Sequence, residues 1–204
     1  NYGRTDKGHA HIGFTVAGGL AEYALVPSKA LHRLPEPLSW DEGAFTDNIG
    51  IALYAVERGR LQPGESVVVI GPGAFGVLAV QVARAMGAGR IVLLGTRAER
   101  LERVRNLGAD ALIAGRGDEA IEQVRKALGE QGADVVVEFA GSEEAARQAL
   151  LLARRGGRVV LAGATAPGRE LNGVDLSTIV RGHLDVCGSL ANPKGISGRG
   201  LALM

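Results

Sequence analysis

A chain of 204 residues with 46% hydrophobic content can bury one good core and part of a second, so one complete domain plus a remnant is expected. Its 23 basic and 22 acidic side chains are spread along the sequence and leave a formal net charge of +1, without the basic stripe of a nucleic-acid binder. A single cysteine excludes an internal disulfide framework, the apolar runs are of strand length or broken by glycine, and the amino terminus lacks a signal-peptide layout; a cytoplasmic protein with no membrane association is expected.

Residues 1–17 are mostly polar and glycine-spaced, without period. Gly18-Gly19 then reads as a turn leading into a strand through Leu20-Ala21-Glu22-Tyr23-Ala24-Leu25-Val26 to Pro27, and a second short strand is predicted from Ala30 to Leu34. Ser39-Trp40-Asp41-Glu42 has the form of a capping box, with Ser39 as cap and Glu42 reaching back to open a short helix. A second helix is predicted from about Ile49 to Arg58. Beyond residue 60 strand-like runs fall near 66–70, 90–94, 110–114, 134–139, 157–163 and 184–189, with helical stretches in most of the gaps, which predicts an α/β domain with a doubly wound parallel sheet. Runs such as Val135-Val136-Val137 and Arg158-Val159-Val160-Leu161 do not alternate, as expected where helices cover both faces. Gly108-Ala109-Asp110 and Gly132-Ala133-Asp134 repeat as helix-to-strand connections, a matter of turn chemistry rather than domain duplication.

The run Ser66 to Ile70 feeds Gly71-Pro72-Gly73-Ala74-Phe75-Gly76, followed by an apolar helix from Ala74 to Met86 with Gly87 as its stop. Strand, G-x-G-x-x-G turn and helix in this order lay a dinucleotide pyrophosphate on backbone amides at a helix start. Gly71 permits the tight turn, Gly73 clears the approach to the phosphates, and Gly76 lets helix and strand pack closely. The other reading is a merely tight strand-to-helix turn.

The second strand ends in Gly95-Thr96-Arg97 without the Asp or Glu that receives an adenosine ribose in NAD-selective sites. Loss of that carboxylate removes repulsion against a 2′-phosphate, while Thr96 offers a hydroxyl and Arg97 a fork of donors, so NADP is favoured as cofactor. Against this, Arg97 could be an ordinary solvated residue in the first turn of a helix running to about Asn106, beside Arg100 and Arg103. Ligands bind beyond the carboxyl ends of parallel strands, which places these two loops in line with Phe139-Ala140-Gly141 and Ala162-Gly163-Ala164 as a cofactor trough.

Gly18-Gly19-Leu20-Ala21-Glu22-Tyr23 with Val26-Pro27, then the capped helix, then Val69 to Gly76, together resemble the zinc-type alcohol dehydrogenases of the medium-chain dehydrogenase/reductase family, and the resemblance covers most of the chain in order. It implies a Rossmann nucleotide domain at 37–204 with its linking helices, a remnant of a GroES-like catalytic β domain at 1–36, and hydride transfer between NADP(H) and an alcohol, polyol or carbonyl substrate. The chain looks like an interior piece of a longer enzyme, whose catalytic Cys and Gly-His-Glu zinc ligands would lie ahead of residue 1. The fragment alone is then expected to be inactive. The family's structural zinc lobe needs four cysteines where this sequence has only Cys187, and Gly3 falls about where the last of them stands. The family's acidic catalytic zinc ligand falls on Asp47, in a stretch that is otherwise apolar, where a carboxylate is costly unless paired or metal-bound. Thr46-Asp47-Asn48 as simple caps of the following helix is the competing reading. The sixth strand is, by the same resemblance, a homo-oligomer edge.

His9, His11, His32 and His183 are assigned no ligand role, Cys187 reads as a small strand residue, and Glu138 ends a strand facing the cofactor edge, with simple pairing to a nearby arginine as the competing reading. Two other functions stay open: a zinc-free NADPH-dependent quinone or enone reductase of the same superfamily, and a chain that only binds nucleotide.

Overall fold

The computed structural model describes residues 12, 13, 15–164, 170–190, 193 and 195–204, with the Lys29 side chain left aside. Gly3, His9 and His11 lie outside the described residues.

The capping box forms as predicted: the Ser39 amide donates to Glu42 Oε2 at 2.8 Å and the Glu42 amide to Ser39 Oγ at 3.2 Å, opening α1 (Trp40–Gly43). Helix α2 (Thr46–Arg58) begins three residues earlier than its apolar pattern suggested, with Phe45 at the cap position. There follow β1 (Ser66–Ile70), α3 (Ala74–Ala85), β2 (Arg90–Gly95), α4 (Ala98–Glu102), β3 (Ala111–Ala114), α5 (Gly117–Leu128), β4 (Ala133–Glu138), α6 (Glu143–Leu152), β5 (Ala153–Leu161), α7 (Leu176–Gly182), β6 (Asp185–Gly188) and α8 (Ile196–Leu201). The strands form one six-stranded parallel sheet in the order β3-β2-β1-β4-β5-β6.

The uninterrupted apolar strands follow from burial on both faces. Val67, Val69, Ile91, Leu93, Val135 and Val137 pack into a core with α2 and α3, whereas Val68, Ile70, Val92, Leu94 and Val136 pack into a second core with α5 and α6. Each strand thus uses its two-residue period twice, once toward each helical layer. Strand order reverses between β1 and β4, and the crevice beyond their carboxyl ends is where such sheets receive ligands. Among the described residues no helix is long and apolar enough to cross a membrane.

The amino-terminal expectation is corrected. No ladder forms over Leu20–Val26, and the predicted second strand is replaced by a 3-10 turn at Ser28–Ala30 with irregular chain after it. Leu20, Tyr23 and Leu25 are almost fully exposed. A strand needs a neighbour for its amide and carbonyl groups, and among the described residues the isolated Ile12–Val16 bridge is the one pairing outside the main sheet. A GroES-like remnant is therefore not seen as a folded unit.

The repeated Gly-Ala-Asp connections act alike. Gly108 and Gly132 both take positive φ (105° and 84°), and each following aspartate accepts an amide from a neighbouring strand: Asp110 from Ile91 at 2.6 Å, Asp134 from Ser66 at 2.8 Å. Asp134 also accepts the Ser66 hydroxyl at 2.7 Å and the Arg154 Nε at 2.5 Å, joining β1, β4 and β5 at the end of the sheet away from the crevice. Burial alone would raise the Asp134 carboxyl, but the Ser66 and Arg154 hydrogen bonds outweigh it and hold the group below its ordinary value. A depressed carboxylate stabilises the fold above its unfolded-state pKa, and this contribution is lost as pH falls through the lower folded-state value. Asp134→Ala should therefore cost about 1–3 kcal/mol at neutral pH, with the gap to the unaltered chain closing in acid; urea midpoints measured across a pH series check this.

Candidate functional site

Three strand ends meet at the β1–α3 turn. Gly71 takes φ +106°, its amide donates to the Leu94 carbonyl at 2.8 Å, and a Cβ there would lie 3.0 Å from the Ala140 amide nitrogen. Gly76 is buried, and a Cβ on it would run into the Gly71 carbonyl oxygen. A Cβ on Gly95 would meet Pro72 Cγ at 2.5 Å, so this glycine seats β2 against the turn as well as leaving the strand end bare. Gly73 differs: a Cβ on it would meet nothing within 4 Å, and as the α3 cap residue it supplies no side-chain acceptor. Gly73 and Ala74 at the start of α3 are exposed with the helix dipole behind them, an arrangement that suits an anion.

A cleft of about 380 Å³ opens beside this turn, lined by Gly71, Pro72, Gly73, Gly95 and Thr96 together with Arg100, Gly115, Arg116, Ala140, Ser142 and Gln148. Arg97 is exposed at the cap position of α4 and does not line it. Arg100, one helical turn further on, does. Sequence reading treated Arg100 as mere company for Arg97, although three-residue spacing on a helix was the signal that both share a face. Arg116 was missed because its assignment needs β3 to end beside β2; its guanidinium is 3.5 Å from Glu144 on α6. Gln148 is 5% exposed, and its Nε2 has no partner among the described residues. Small residues with Arg100 and with Arg116, itself paired to the Glu144 that also lines the cleft, therefore surround a space open to a ligand.

On the other side of the crossing, Phe75 and Phe139 stack with centroids 6.1 Å apart. The loops after β4 and β5 touch: Gly141 takes φ +69°, and a Cβ there would lie 2.5 Å from the Ala164 carbonyl oxygen. Ala162 and Gly163 both donate backbone amides to the Glu138 carbonyl at 2.8 Å. Glu138 itself is 2% exposed, and its Oε1 accepts the Gly141 amide at 2.6 Å. Burial pushes this carboxyl up, against the opposing pull of the Gly141, Ala140 and Gly163 amides. Backbone amides, and not an arginine, are its partners among the described residues. Ala140, Gly141, Ala162, Gly163 and Ala164 are thus brought together as one small-residue wall.

The metal expectation fares differently. Asp47 lies inside the first turn of α2 and is exposed, so the burial cost argued from its apolar surroundings does not arise. Thr46 does not cap with its side chain; its Oγ1 donates back to the Gly43 carbonyl at 2.6 Å. Among the described residues no three His, Cys, Asp or Glu side chains gather as a metal site, so these residues do not by themselves fit a zinc ion. His32 follows the 3-10 turn and His183 caps α7 with φ +50°, neither within a strand.

Residues 74–197 match the zinc-binding dehydrogenase family. The chain belongs to that family. Within the family, it is 31% identical to the sorbitol dehydrogenase of Bacillus subtilis over 185 residues, 89% of this chain and 52% of that protein. It is 31% identical to D-xylulose reductase A of Aspergillus oryzae over 150 residues, 72% of this chain and 42% of the relative. A Sinorhizobium meliloti crystal structure bound to NADP superposes with a TM-score of 0.82 at 32% identity, covering 91% of this chain and 54% of that one. The chain thus spans about half the length of these dehydrogenases.

The two kinds of glycine in this dehydrogenase turn predict opposite responses. Gly71→Ala, strained by its positive φ and its closeness to Ala140, should cost about 1–3 kcal/mol, whereas Gly73→Ala should cost under about 1 kcal/mol, the scale of a poorer helix cap. Denaturant unfolding of the two variants checks the contrast.

Proposed function

We propose that this chain is the NADP(H)-holding part of an oxidoreductase that moves hydride between the nicotinamide and an alcohol, polyol or carbonyl substrate. The observation that carries the cofactor choice is the end of β2, where Gly95-Thr96-Arg97 offers no acid and Arg100 lines the cleft one turn beyond. An acid at this point would repel a 2′-phosphate, while the Arg100 guanidinium in the cleft, with Arg97 exposed at the helix cap before it, complements one. The polyol dehydrogenases among the relatives, and the NADP-bound structure similar to this chain, support the reading.

The residues then divide the work along the sheet edge. The pyrophosphate rests on the first amides of α3, unobstructed at Gly73, and the adenosine end lies over Gly95, Thr96 and Gly115. The nicotinamide half lies toward Phe139, Ala140 and the Ala162–Ala164 loop, where small side chains let the ring approach the backbone and the Phe75–Phe139 stack excludes water. When bound, the nicotinamide accepts or gives the hydride. The protein's part is orientation and the removal of solvent from the reacting face.

Two further assignments belong to the intact enzyme. Asp47 is the acidic donor we assign to zinc, in company with ligands from outside these residues, and zinc content of the intact enzyme should fall with Asp47→Ala; unchanged stoichiometric metal removes Asp47 from the site. The β6 edge, with Val186 partly exposed and Leu176 and Val180 of α7 over 70% exposed beside it, is assigned to self-association.

Direct titration tests the cofactor choice. The chain should bind NADPH at least about tenfold more tightly than NADH, roughly the worth of one or two charge-assisted hydrogen bonds. Arg97→Ala or Arg100→Ala should erase most of that difference by weakening NADPH alone. Equal affinities in the unaltered chain would refute the assignment.

A further inference from the structure

Glu138 stands where the two loops of the nicotinamide side cross, and it holds both. Its backbone carbonyl accepts the Ala162 and Gly163 amides from the loop after β5. Its side chain turns back to accept the Gly141 amide from the loop after β4. The closeness of the crossing is set by three glycines. A Cβ on Gly71 would press on Ala140, one on Gly141 on Ala164, and one on Gly163 would lie 2.8 Å from Glu138 Oε2 and collide with the Gly141 backbone. A charged side chain only 2% exposed, with backbone amides instead of a cation as partners, is an expensive way to end a strand. Among the described residues no arginine or lysine meets its carboxylate; the Gly141 amide donates to it, and the Ala140 and Gly163 amides pull its pKa down beside it.

We infer that Glu138 is a positioning residue, whose carboxylate gathers the Gly141 and Gly163 loops into the surface that receives the nicotinamide half of the cofactor. The inference rests on the NADP(H) reading above and extends it to a residue that touches neither cofactor nor substrate. Its physical basis is the acceptor-only character of a carboxylate. Each of the converging groups is an N–H donor, and only a side chain with no hydrogen of its own can satisfy them at once. A glutamine of the same shape would turn one donor against the others and push the loops apart. The adenosine end is built on β2, α4 and the β3–α5 connection; the loop after β4 borders that cleft through Phe139, Ala140 and Ser142, whereas Gly141, Gly163 and the loop after β5 do not line it.

The test exploits that separation. Binding of NADPH and of 2′,5′-ADP, which carries only the adenosine end, is measured on the unaltered chain, on Glu138→Gln and on Gly163→Ala, with thermal unfolding recorded for each. Glu138→Gln should weaken NADPH about tenfold, the scale of one or two lost charge-assisted hydrogen bonds, and leave 2′,5′-ADP within about twofold. Gly163→Ala, which crowds the same crossing from the opposite loop, should give the same split and decides the matter independently if the first variant does not fold. Equal weakening of both ligands would reduce Glu138 to a general stabiliser, and unchanged NADPH binding would leave it no role at the cofactor; either overturns the inference while the NADP(H) reading stands. An unaltered chain that binds neither ligand would overturn both.

Discussion

The contact on which the rest of the structure depends is the closure of β1, β2 and β4 on one another at Gly71, where a Cβ would press on the Ala140 backbone at 3.0 Å. Its amide is fixed to the Leu94 carbonyl at the end of β2, its Cα faces the Ala140 backbone, and its carbonyl lies against Gly76 in the first turn of α3. Pro72 then sits on Gly95. These approaches bring the helix start down onto the strand ends.

The two ends of the sheet are built from opposite materials, and the division explains how one domain can be both rigid and receptive. At the amino end of the strands, Asp134 joins Ser66 and Arg154, and Arg158 pairs with Glu65 at 2.6 Å with both side chains largely buried. At the carboxyl end the cleft is lined by glycine, alanine and serine together with Arg100, Arg116 and Glu144, and the Nε2 of Gln148 lacks a partner among the described residues. Two apolar layers separate these ends and fix the strands between them. The charge-assisted hydrogen bonds of Asp134 and Arg158 thus lie at the opposite end of the strands from the cleft, where the Glu138 carboxylate instead holds the loops.

Much of this was legible from residues whose environment is dictated locally. The strand from Ser66 to Ile70, the three glycines of the turn and the Ser39–Glu42 box declare themselves because short-range sterics and period leave them few alternatives. What escaped depends on neighbours distant in sequence. Leu20–Val26 and Ala30–Leu34 have the composition of strands, yet a strand exists only when another chain segment answers its hydrogen bonds. Arg116 and Gln148 enter the cleft only because β3 comes to lie beside β2 and α6 beside β1 and β4, which no spacing rule reveals. Asp47 looked costly because its sequence neighbours are apolar, but a helix turns most of those neighbours inward and leaves the carboxylate outside. Glu138 was noticed for its place and mistaken in its partners, since backbone amides cast no shadow in the sequence.

The central claim, that a dinucleotide lies on the Gly71–Gly76 turn with its phosphorylated ribose at the end of β2, is open to a direct measurement. Amide chemical-shift mapping of the isotopically labelled chain with NADP+ would locate the ligand residue by residue. The largest changes are predicted at residues 71–76 and 95–97, with smaller ones at 115–116 and 140–141. A different groove of about 620 Å³, lined by Leu38, Phe45, Val77 and Leu203, reaches Pro72 and Gly73 from the other side of α3. Changes centred on that groove, or none at the glycine turn at saturating NADP+, would contradict the claim.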